Sequence, residues 1–265
     1  MTRPPVVLRA ASLLALAACA GASERPAEPA PRPLPVRVLA VHPHDPQAFT
    51  QGLLWHAGRL YESTGLYGRS SLREVDPESG RVLRSVALPD DQFGEGLALA
   101  GDRLIQLTWR EERAFVWRLS DLAPLGQLAF RGEGWGLTWD GRELVQSNGS
   151  AVLELRSAAD LRLVRSLAVR RRGRPVPYLN ELEWVVGALY ANVWESDEIV
   201  RIDPATGEVT GTWDASGLLE PQERERADVL NGIAWNPERR VFYLTGKLWP
   251  HLFEVELPEP PARAR

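Results

Sequence analysis

A five-residue phrase returns five times along the chain, and it constrains the fold more than any other feature. The copies are Gln51-Gly-Leu-Leu-Trp55, Glu95-Gly-Leu-Ala-Leu99, Trp135-Gly-Leu-Thr-Trp139, Asn180-Glu-Leu-Glu-Trp184 and Asn231-Gly-Ile-Ala-Trp235. Successive copies start 40 to 51 residues apart. A repeat of this period is typical of propellers and solenoids, in which each repeat is one small structural unit packed against its neighbours.

Two positions recur in register in every repeat. The first mark is the first residue of the phrase, and the second mark follows it after 14 residues in four repeats and after 16 in the fifth. These second positions are Gly65, Trp109, Gly149, Trp194 and Lys247. In the first repeat, residues 59–64, 71–75 and 82–88 alternate in polarity as short strands do, with turn residues between them. Each repeat therefore predicts one antiparallel blade of three to four strands.

The two ends of the repeat region predict how the ring closes. The last repeat stops after a strand at 251–257, whereas a spare strand at 36–41 precedes the first repeat. We therefore predict an all-β fold, a five-bladed β-propeller over residues 36–257, in which the N-terminal strand joins the last blade. Such closure would leave no open sheet edge.

The first 18 residues are typical of a lipoprotein signal peptide. Arg3 and Arg9 precede an apolar run at 10–18 that is too short to span a membrane. The segment Leu16-Ala17-Ala18-Cys19 resembles a bacterial lipobox and makes Cys19, the only cysteine, the predicted lipidation site. The alternative is a secreted protein with a cysteine near its cleavage site. We expect an exported bacterial protein, periplasmic or anchored in the outer membrane.

Composition indicates the character of the remaining segments and the kinds of partner to expect. Residues 19–35 are rich in proline and predict a tether, and residues 258–265 predict a disordered tail. A net charge of -4 gives no basic excess for binding nucleic acid. We expect a monomer that is attached to the membrane only through its lipid.

The repeated positions differ in how much they vary between repeats. The fifth place of the phrase is always large and apolar, as packing between blades requires: Trp55, Leu99, Trp139, Trp184 and Trp235. The first place varies and is polar in four repeats, and the residue two places earlier is mostly aromatic or apolar. Because a ligand lacks fivefold symmetry, we predict that the varying positions form a small-ligand pocket at the mouth of the channel.

Two of these varying positions carry charge. Lys247 is the only lysine among 31 basic residues, which favours a role for a compact ammonium; the alternative is a chance survivor. Glu95 is the only carboxylate at the first place of the phrase, and aromatic neighbours should raise its pKa toward neutrality. A carboxyl so tuned can transfer protons. The alternative is a buried acid satisfied by the backbone or by Lys247.

Motifs in four of the five repeats resemble the plant-type glutaminyl-peptide cyclotransferases and their bacterial members. They are Phe49-Thr-Gln51-Gly-Leu, Phe93-Gly-Glu95-Gly, Asn180-Glu-Leu-Glu-Trp184, Asn192-Val-Trp194 and Leu230-Asn-Gly-Ile-Ala-Trp235. The resemblance covers about residues 42–257. It implies a five-bladed propeller enzyme that converts N-terminal glutamine of peptides or proteins to pyroglutamate and releases ammonia.

The resemblance also implies which residues form the site. By similarity, the pocket would comprise Phe49, Gln51, Phe93, Glu95, Trp109, Trp135, Asn180, Trp194 and Lys247. Within it we assign catalysis to Glu95, Lys247, Asn180 and Gln51. We assign substrate binding to Phe49, Phe93, Trp109, Trp135, Trp194 and the remaining first-place residue, Asn231. No metal ligand and no cofactor is implied for catalysis. A structural calcium ion is compatible with the family, but the sequence does not identify its ligands. The disulfide of plant members has no counterpart here.

Two other functions stay open from the residues alone. Glu95, Asn180 and Asn231 on one axis could form the oxygen-rich cage of a calcium-dependent, lactonase-like hydrolase. The adjacent ammonium of Lys247 disfavours a divalent cation there. A non-catalytic propeller that binds components of the cell envelope is the second alternative, because propellers host many functions.

Overall fold

The structure, a computed structural model, describes residues 32–259, and these form a ring of five small sheets. The predicted signal peptide at 1–18 and Cys19 lie outside the described residues. Within the described part the only helix is α1 (Pro221–Arg224), so no helix there is long and apolar enough to cross a membrane. The predicted all-β, five-bladed β-propeller is confirmed.

The strands of the first two repeats form one antiparallel blade each. Two strands precede them, β1 (Leu34–Pro35) and β2 (Arg37–Pro43). The first blade contains β3 (Thr50–His56), β4 (Arg59–Thr64), β5 (Ser71–Val75) and β6 (Val82–Ala87). The second contains β7 (Gly94–Ala100), β8 (Arg103–Thr108), β9 (Arg113–Arg118) and β10 (Pro124–Ala129). In both blades the strands pair in chain order from the inner strand outward.

The remaining blades follow the same plan. The third contains β11 (Leu137–Trp139), β12 (Leu144–Gln146), β13 (Val152–Arg156) and β14 (Leu163–Ala168), and a hairpin of β15 (Arg170–Arg171) and β16 (Arg174–Pro175) follows it. The fourth contains β17 (Leu179–Val185), β18 (Ala188–Val193), β19 (Glu198–Ile202) and β20 (Val209–Asp214). The fifth contains β21 (Leu230–Asn236), β22 (Val241–Gly246) and β23 (His251–Glu256).

The segment before the first blade completes the ring. Strand β2 pairs antiparallel with β23, from Arg37 opposite Glu256 to Pro43 opposite His251, and is the fourth strand of the last blade. Strand β1 pairs in parallel with β20 in the fourth blade. Leu34 and Pro35, which the composition assigns to the tether, are thus already part of a sheet, because Leu34 packs on the apolar cluster that contains Trp213.

The C-terminal end meets the same tryptophan. Trp213 Nε1 donates a hydrogen bond to the carbonyl of Pro258 at 2.9 Å, and Arg201 pairs with Glu259 at 2.8 Å. The first two residues of the predicted disordered tail therefore contact the fourth blade. Residues 260–265 lie outside the described residues.

Apolar residues fill the five interfaces between neighbouring blades. Each interface contains one buried cluster, and one fifth-place residue of the phrase packs against each: Trp235, Trp184, Leu99, Trp139 and Trp55. Trp55, for example, stacks on Tyr243 of the last blade with ring centroids 5.3 Å apart. The prediction that these residues serve packing is confirmed.

Glycine at the second place of the phrase lets the inner strands approach each other around the axis. A Cβ on Gly52 would lie 2.6 Å from the backbone nitrogen of Leu97 in the next blade, and one on Gly136 would overlap the carbonyl of Asn180. Both contacts are closer than a Cβ atom tolerates, so only glycine fits at these two positions. The fourth blade departs from this rule, since Glu181 occupies the glycine position.

Candidate active site

The first and second marks of each repeat lie at the same end of the sheets. In the first blade Thr50 pairs with Thr64, which places the start of β3 beside the end of β4. The second-mark N–H donates to the carbonyl two residues before the first mark in four blades: Gly65 to Phe49, Trp109 to Phe93, Trp194 to Tyr178 and Lys247 to Val229, all at 2.8–3.0 Å. The predicted positions are therefore gathered at one end of the channel.

Three polar side chains of the predicted site form one hydrogen-bonded chain. Asn231 Nδ2 donates to the carbonyl of Thr50 at 3.0 Å and to Gln51 Oε1 at 3.2 Å. Gln51 Nε2 in turn donates to Glu95 Oε1 at 2.9 Å. All three side chains are buried. Because a backbone carbonyl can only accept, the chain fixes the orientation of both amides and directs Gln51 Nε2 at the carboxyl.

Burial shifts the titration of the two charged site residues. Burial raises the pKa of Glu95 well above its usual value, the Lys247 ammonium opposes this, and Glu111 and Glu133 add to it. Burial also lowers the pKa of Lys247, against the attraction of Glu95 and Asp228. Lys247 Nζ lies 4.8 Å from the centroid of the Phe49 ring. In both groups burial favours the uncharged form.

The five predicted aromatic residues fall into two groups of rings. Phe49, Phe93 and Trp109 follow one another with centroids 6.1 and 5.5 Å apart. Trp135 meets Trp194 edge to face at 5.6 Å, and Tyr178 lies 5.9 Å from Trp194. The second-mark glycines make room for these rings: a Cβ on Gly65 would overlap Phe93, and one on Gly149 would overlap Trp135.

Two buried amide oxygens at the first place of the phrase have no hydrogen-bond donor among the described residues. They are Oδ1 of Asn180 and Oδ1 of Asn231. Buried polar atoms are normally paired, so these acceptors are suited to the N–H groups of a ligand. Among residues 32–259 no group of three or more His, Cys, Asp or Glu side chains is placed to hold a metal ion.

The structure also shows hydrogen bonds to three carboxylates that are not among the predicted site residues. Glu133 accepts hydrogen bonds from two of the pocket tryptophans, Glu111 accepts one from Tyr67, and Glu181 accepts two from backbone N–H groups across the channel. The signal for Glu181 was its place in the phrase, where the other four copies have glycine. The signal for Glu133 was an acid two places before the first mark, where the other four repeats have an aromatic or apolar residue.

A propeller with a carboxyl and an ammonium buried beside aromatic rings has the features of an enzyme active site. Comparison with known proteins identifies the particular family. A sequence model of the glutamine cyclotransferase family matches residues 10–257, and the chain belongs to this family.

Two relatives agree with this assignment. A glutaminyl-peptide cyclotransferase of Arabidopsis thaliana is 42% identical over 237 residues, which cover 86% of this chain and 73% of the relative. The crystal structure of Myxococcus xanthus glutaminyl cyclase superposes with a TM-score of 0.78 at 39% identity, covering 87% of this chain and 100% of the other. The resemblance stated from the motifs is confirmed.

Proposed function

We propose that this protein cyclises N-terminal glutamine of peptides and proteins to pyroglutamate through proton transfer by Glu95. The observation that carries the proposal is the buried Glu95 carboxyl, oriented by Gln51 and accompanied by the Lys247 ammonium. In the reaction the α-amine nitrogen bonds to the γ-carboxamide carbon of the same residue, and the bond from that carbon to its amide nitrogen breaks. Family membership supports the same reaction.

Glu95 is the proton carrier in this proposal. As a carboxylate it takes a proton from the attacking amine, and as a carboxylic acid it gives that proton to the departing nitrogen, which leaves as ammonia. A carboxyl whose pKa is raised by burial suits both steps, because it holds a proton more readily than an exposed carboxyl does. Since Gln51 occupies Oε1, the other oxygen is the one that exchanges the proton.

Lys247, Asn180 and Gln51 stabilise the oxygen that becomes negative in the tetrahedral intermediate. Lys247 supplies a full positive charge, and Gln51 Nε2 has a second hydrogen beyond the one that it donates to Glu95. Charges and dipoles fixed in a dry pocket stabilise such an oxyanion without reorganisation. Asn231 holds Gln51 in place, and its Oδ1 is suited to accept from a substrate N–H.

The aromatic wall holds the glutamine side chain curled toward its own amine. Phe49, Phe93, Trp109, Trp135 and Trp194 line the site as two groups of rings. Free glutamine seldom adopts the curled geometry, so fixing it raises the rate by proximity. No step requires a metal ion or cofactor, and the presence of a structural calcium ion is a question for metal analysis.

The test follows ammonia release and the mass loss of one ammonia from a short Gln-initiated peptide, with and without chelator. Wild-type protein should cyclise the peptide in both conditions, whereas Glu95→Gln should lose about 10²-fold or more in kcat. No cyclisation by folded wild-type protein would overturn the function. Activity that disappears with chelator would favour the calcium-dependent alternative, and an active Glu95→Gln variant would remove Glu95 from proton transfer.

The cellular setting is a separate proposal that rests on the N-terminal sequence. The lipobox-like segment supports lipidation of Cys19 and attachment of the exported domain to the bacterial envelope, with the outer membrane favoured. Labelling with a radioactive fatty acid should mark wild-type protein and not Cys19→Ala. We also propose that the propeller domain is a monomer. Sedimentation of the protein without residues 1–31 should then give the mass of one chain.

A further inference from the structure

Glu133 joins the two groups of aromatic rings in the pocket. Its Oε2 accepts a hydrogen bond from Trp109 Nε1 at 2.9 Å and another from Trp135 Nε1 at 3.0 Å. Trp109 directly follows β8 of the second blade, and Trp135 lies two residues before β11 of the third. One carboxylate oxygen therefore fixes two indoles that belong to different blades.

The second oxygen of Glu133 is also occupied. Arg110 Nε donates to Oε1 at 3.0 Å, and the Arg110 guanidinium lies 3.7 Å from the centroid of the Trp109 ring. Trp109 is thus held at its ring nitrogen by Glu133 and covered on one face by Arg110. Burial would raise the pKa of Glu133, but bonds from Trp135, Trp109 and Arg110 lower it, so Glu133 stays anionic at neutral pH.

We propose that Glu133 is a positioning residue that sets the spacing and orientation of the tryptophan wall, and thereby the affinity for the N-terminal glutamine side chain. This rests on the proposed function of the pocket. A half-buried indole can turn about its side-chain bonds unless its N–H is tied, and Trp109 and Trp135 share one acceptor. Hydrogen bonds to a charged acceptor are about twice as strong as neutral ones, which suits a rigid wall.

Glu133 also acts on Glu95 through its charge, and the test must separate the two effects. The charged groups that face Glu95 are Lys247, Glu111 and Glu133. Glu133→Gln removes the charge but keeps an oxygen that can accept from both indoles. Glu133→Ala removes the charge and the acceptor. Glu111→Gln is the matched control, because it removes an acidic charge near Glu95 at a residue whose bond is to Tyr67 rather than to an indole.

The experiment measures kcat and KM for a Gln-initiated peptide with full-length protein, and binding of the same peptide by calorimetry in a Glu95→Gln background. Thermal unfolding verifies that each variant is folded. We expect Glu133→Ala to weaken binding and raise KM by about tenfold, as expected from the loss of two charge-assisted hydrogen bonds. Glu133→Gln and Glu111→Gln should stay within about threefold of their parent.

The outcomes distinguish this inference from the function on which it rests. Unchanged binding in Glu133→Ala, or equal weakening in Glu133→Gln and Glu133→Ala, would overturn the positioning role. Weakening by Glu111→Gln as large as that by Glu133→Ala would show that charge alone is responsible and would overturn it too. Wild-type protein that binds the peptide without cyclising it would instead overturn the proposed reaction, and the binding comparison would still decide the role of Glu133.

Discussion

The amide nitrogen of Gln51 lies 2.9 Å from Glu95 Oε1, and both side chains are only 4% exposed. In the proposed reaction, a buried donor on one carboxyl oxygen leaves the other oxygen to exchange the proton with substrate. Asn231 fixes the direction of this donor, because its own Nδ2 is shared between the carbonyl of Thr50 and Gln51 Oε1. The orientation of Gln51 toward Glu95 is thus set by a backbone carbonyl, that of Thr50.

The first prediction concerns the pH dependence of kcat/KM. Glu95 must be ionised to accept a proton, so activity should rise with pH through its pKa, which burial raises well above the usual value. Lys247 must be protonated to stabilise the oxyanion, so activity should fall at alkaline pH, earlier than for an ordinary lysine because burial lowers its pKa. The expected profile from rate measurements across pH is bell-shaped.

A control separates Glu95 from the substrate amine, whose ionisation also produces an acid limb. Glu111→Gln removes an anion that raises the pKa of Glu95, so the limb due to Glu95 should move to lower pH. The limb due to the substrate should stay where it is. An acid limb at the same pH in wild type and Glu111→Gln would contradict its assignment to Glu95.

The second prediction concerns Lys247. Its ammonium lies over the Phe49 ring in a buried site, which suits a compact point charge better than a planar guanidinium. Lys247→Met should lower kcat by about 10²-fold, since removal of one oxyanion-stabilising group typically costs that much. Lys247→Arg should recover only part of the loss despite retaining the charge. Steady-state kinetics would count against this role if Lys247→Met kept kcat within threefold of wild type.

The third prediction tests the support of Gln51 by Asn231. Asn231→Ala should lower kcat by about tenfold, because Gln51 then loses the partner that holds its amide nitrogen toward Glu95. Asn192→Ala is the matched control: Asn192 is buried like Asn231, but its Oδ1 accepts from the backbone N–H of Gly232. It should lose stability and retain kcat. An equal fall of kcat in both variants would point to general loosening of the last blade.

Repeat positions explain why much of this site was predictable from the sequence. Because the two marks are in register in every repeat, equivalent residues such as Phe49 and Phe93 necessarily fall at equivalent places around the axis. Strands β4 and β5 were predicted with the bounds that they have in the structure. Local patterns were sufficient wherever a residue's place depends only on its own blade.

Contacts between blades were not predictable in this way. Glu133 accepts hydrogen bonds from indoles of the second and third blades, and Glu181 accepts them from backbone groups of the first and fifth. Their partners therefore depend on how the blades are placed around the axis. Leu34 and Pro35 show a different limit. Their proline-rich surroundings indicate a tether, but both residues pair with β20 of the fourth blade, and Leu34 packs on the apolar cluster there.

The last prediction concerns Glu181, which crosses the channel from the fourth blade. Its Oε1 accepts from the backbone N–H of Leu53 at 3.2 Å, and its Oε2 accepts from that of Ile233 at 2.9 Å. Leu53 and Ile233 are each two residues beyond a site residue, Gln51 and Asn231 respectively. Glu181 thereby ties the inner strands of three blades together.

Glu181→Gly would give the fourth phrase the glycine found in the other four, yet we expect it to destabilise the protein by about 2–4 kcal/mol. Two buried N–H groups would lose their acceptor, at about 1–3 kcal/mol each. Removing a carboxyl whose pKa burial raises well above its usual value offsets part of this loss. Urea denaturation measures the difference in the free energy of unfolding.

Glu183→Ala is the control for this variant. Glu183 accepts from one backbone N–H in another blade, that of Trp235, so the loss of stability should be about half as large. A Glu181→Gly variant as stable as wild type would show that the phrase tolerates glycine in every blade and that Glu181 does not hold the ring.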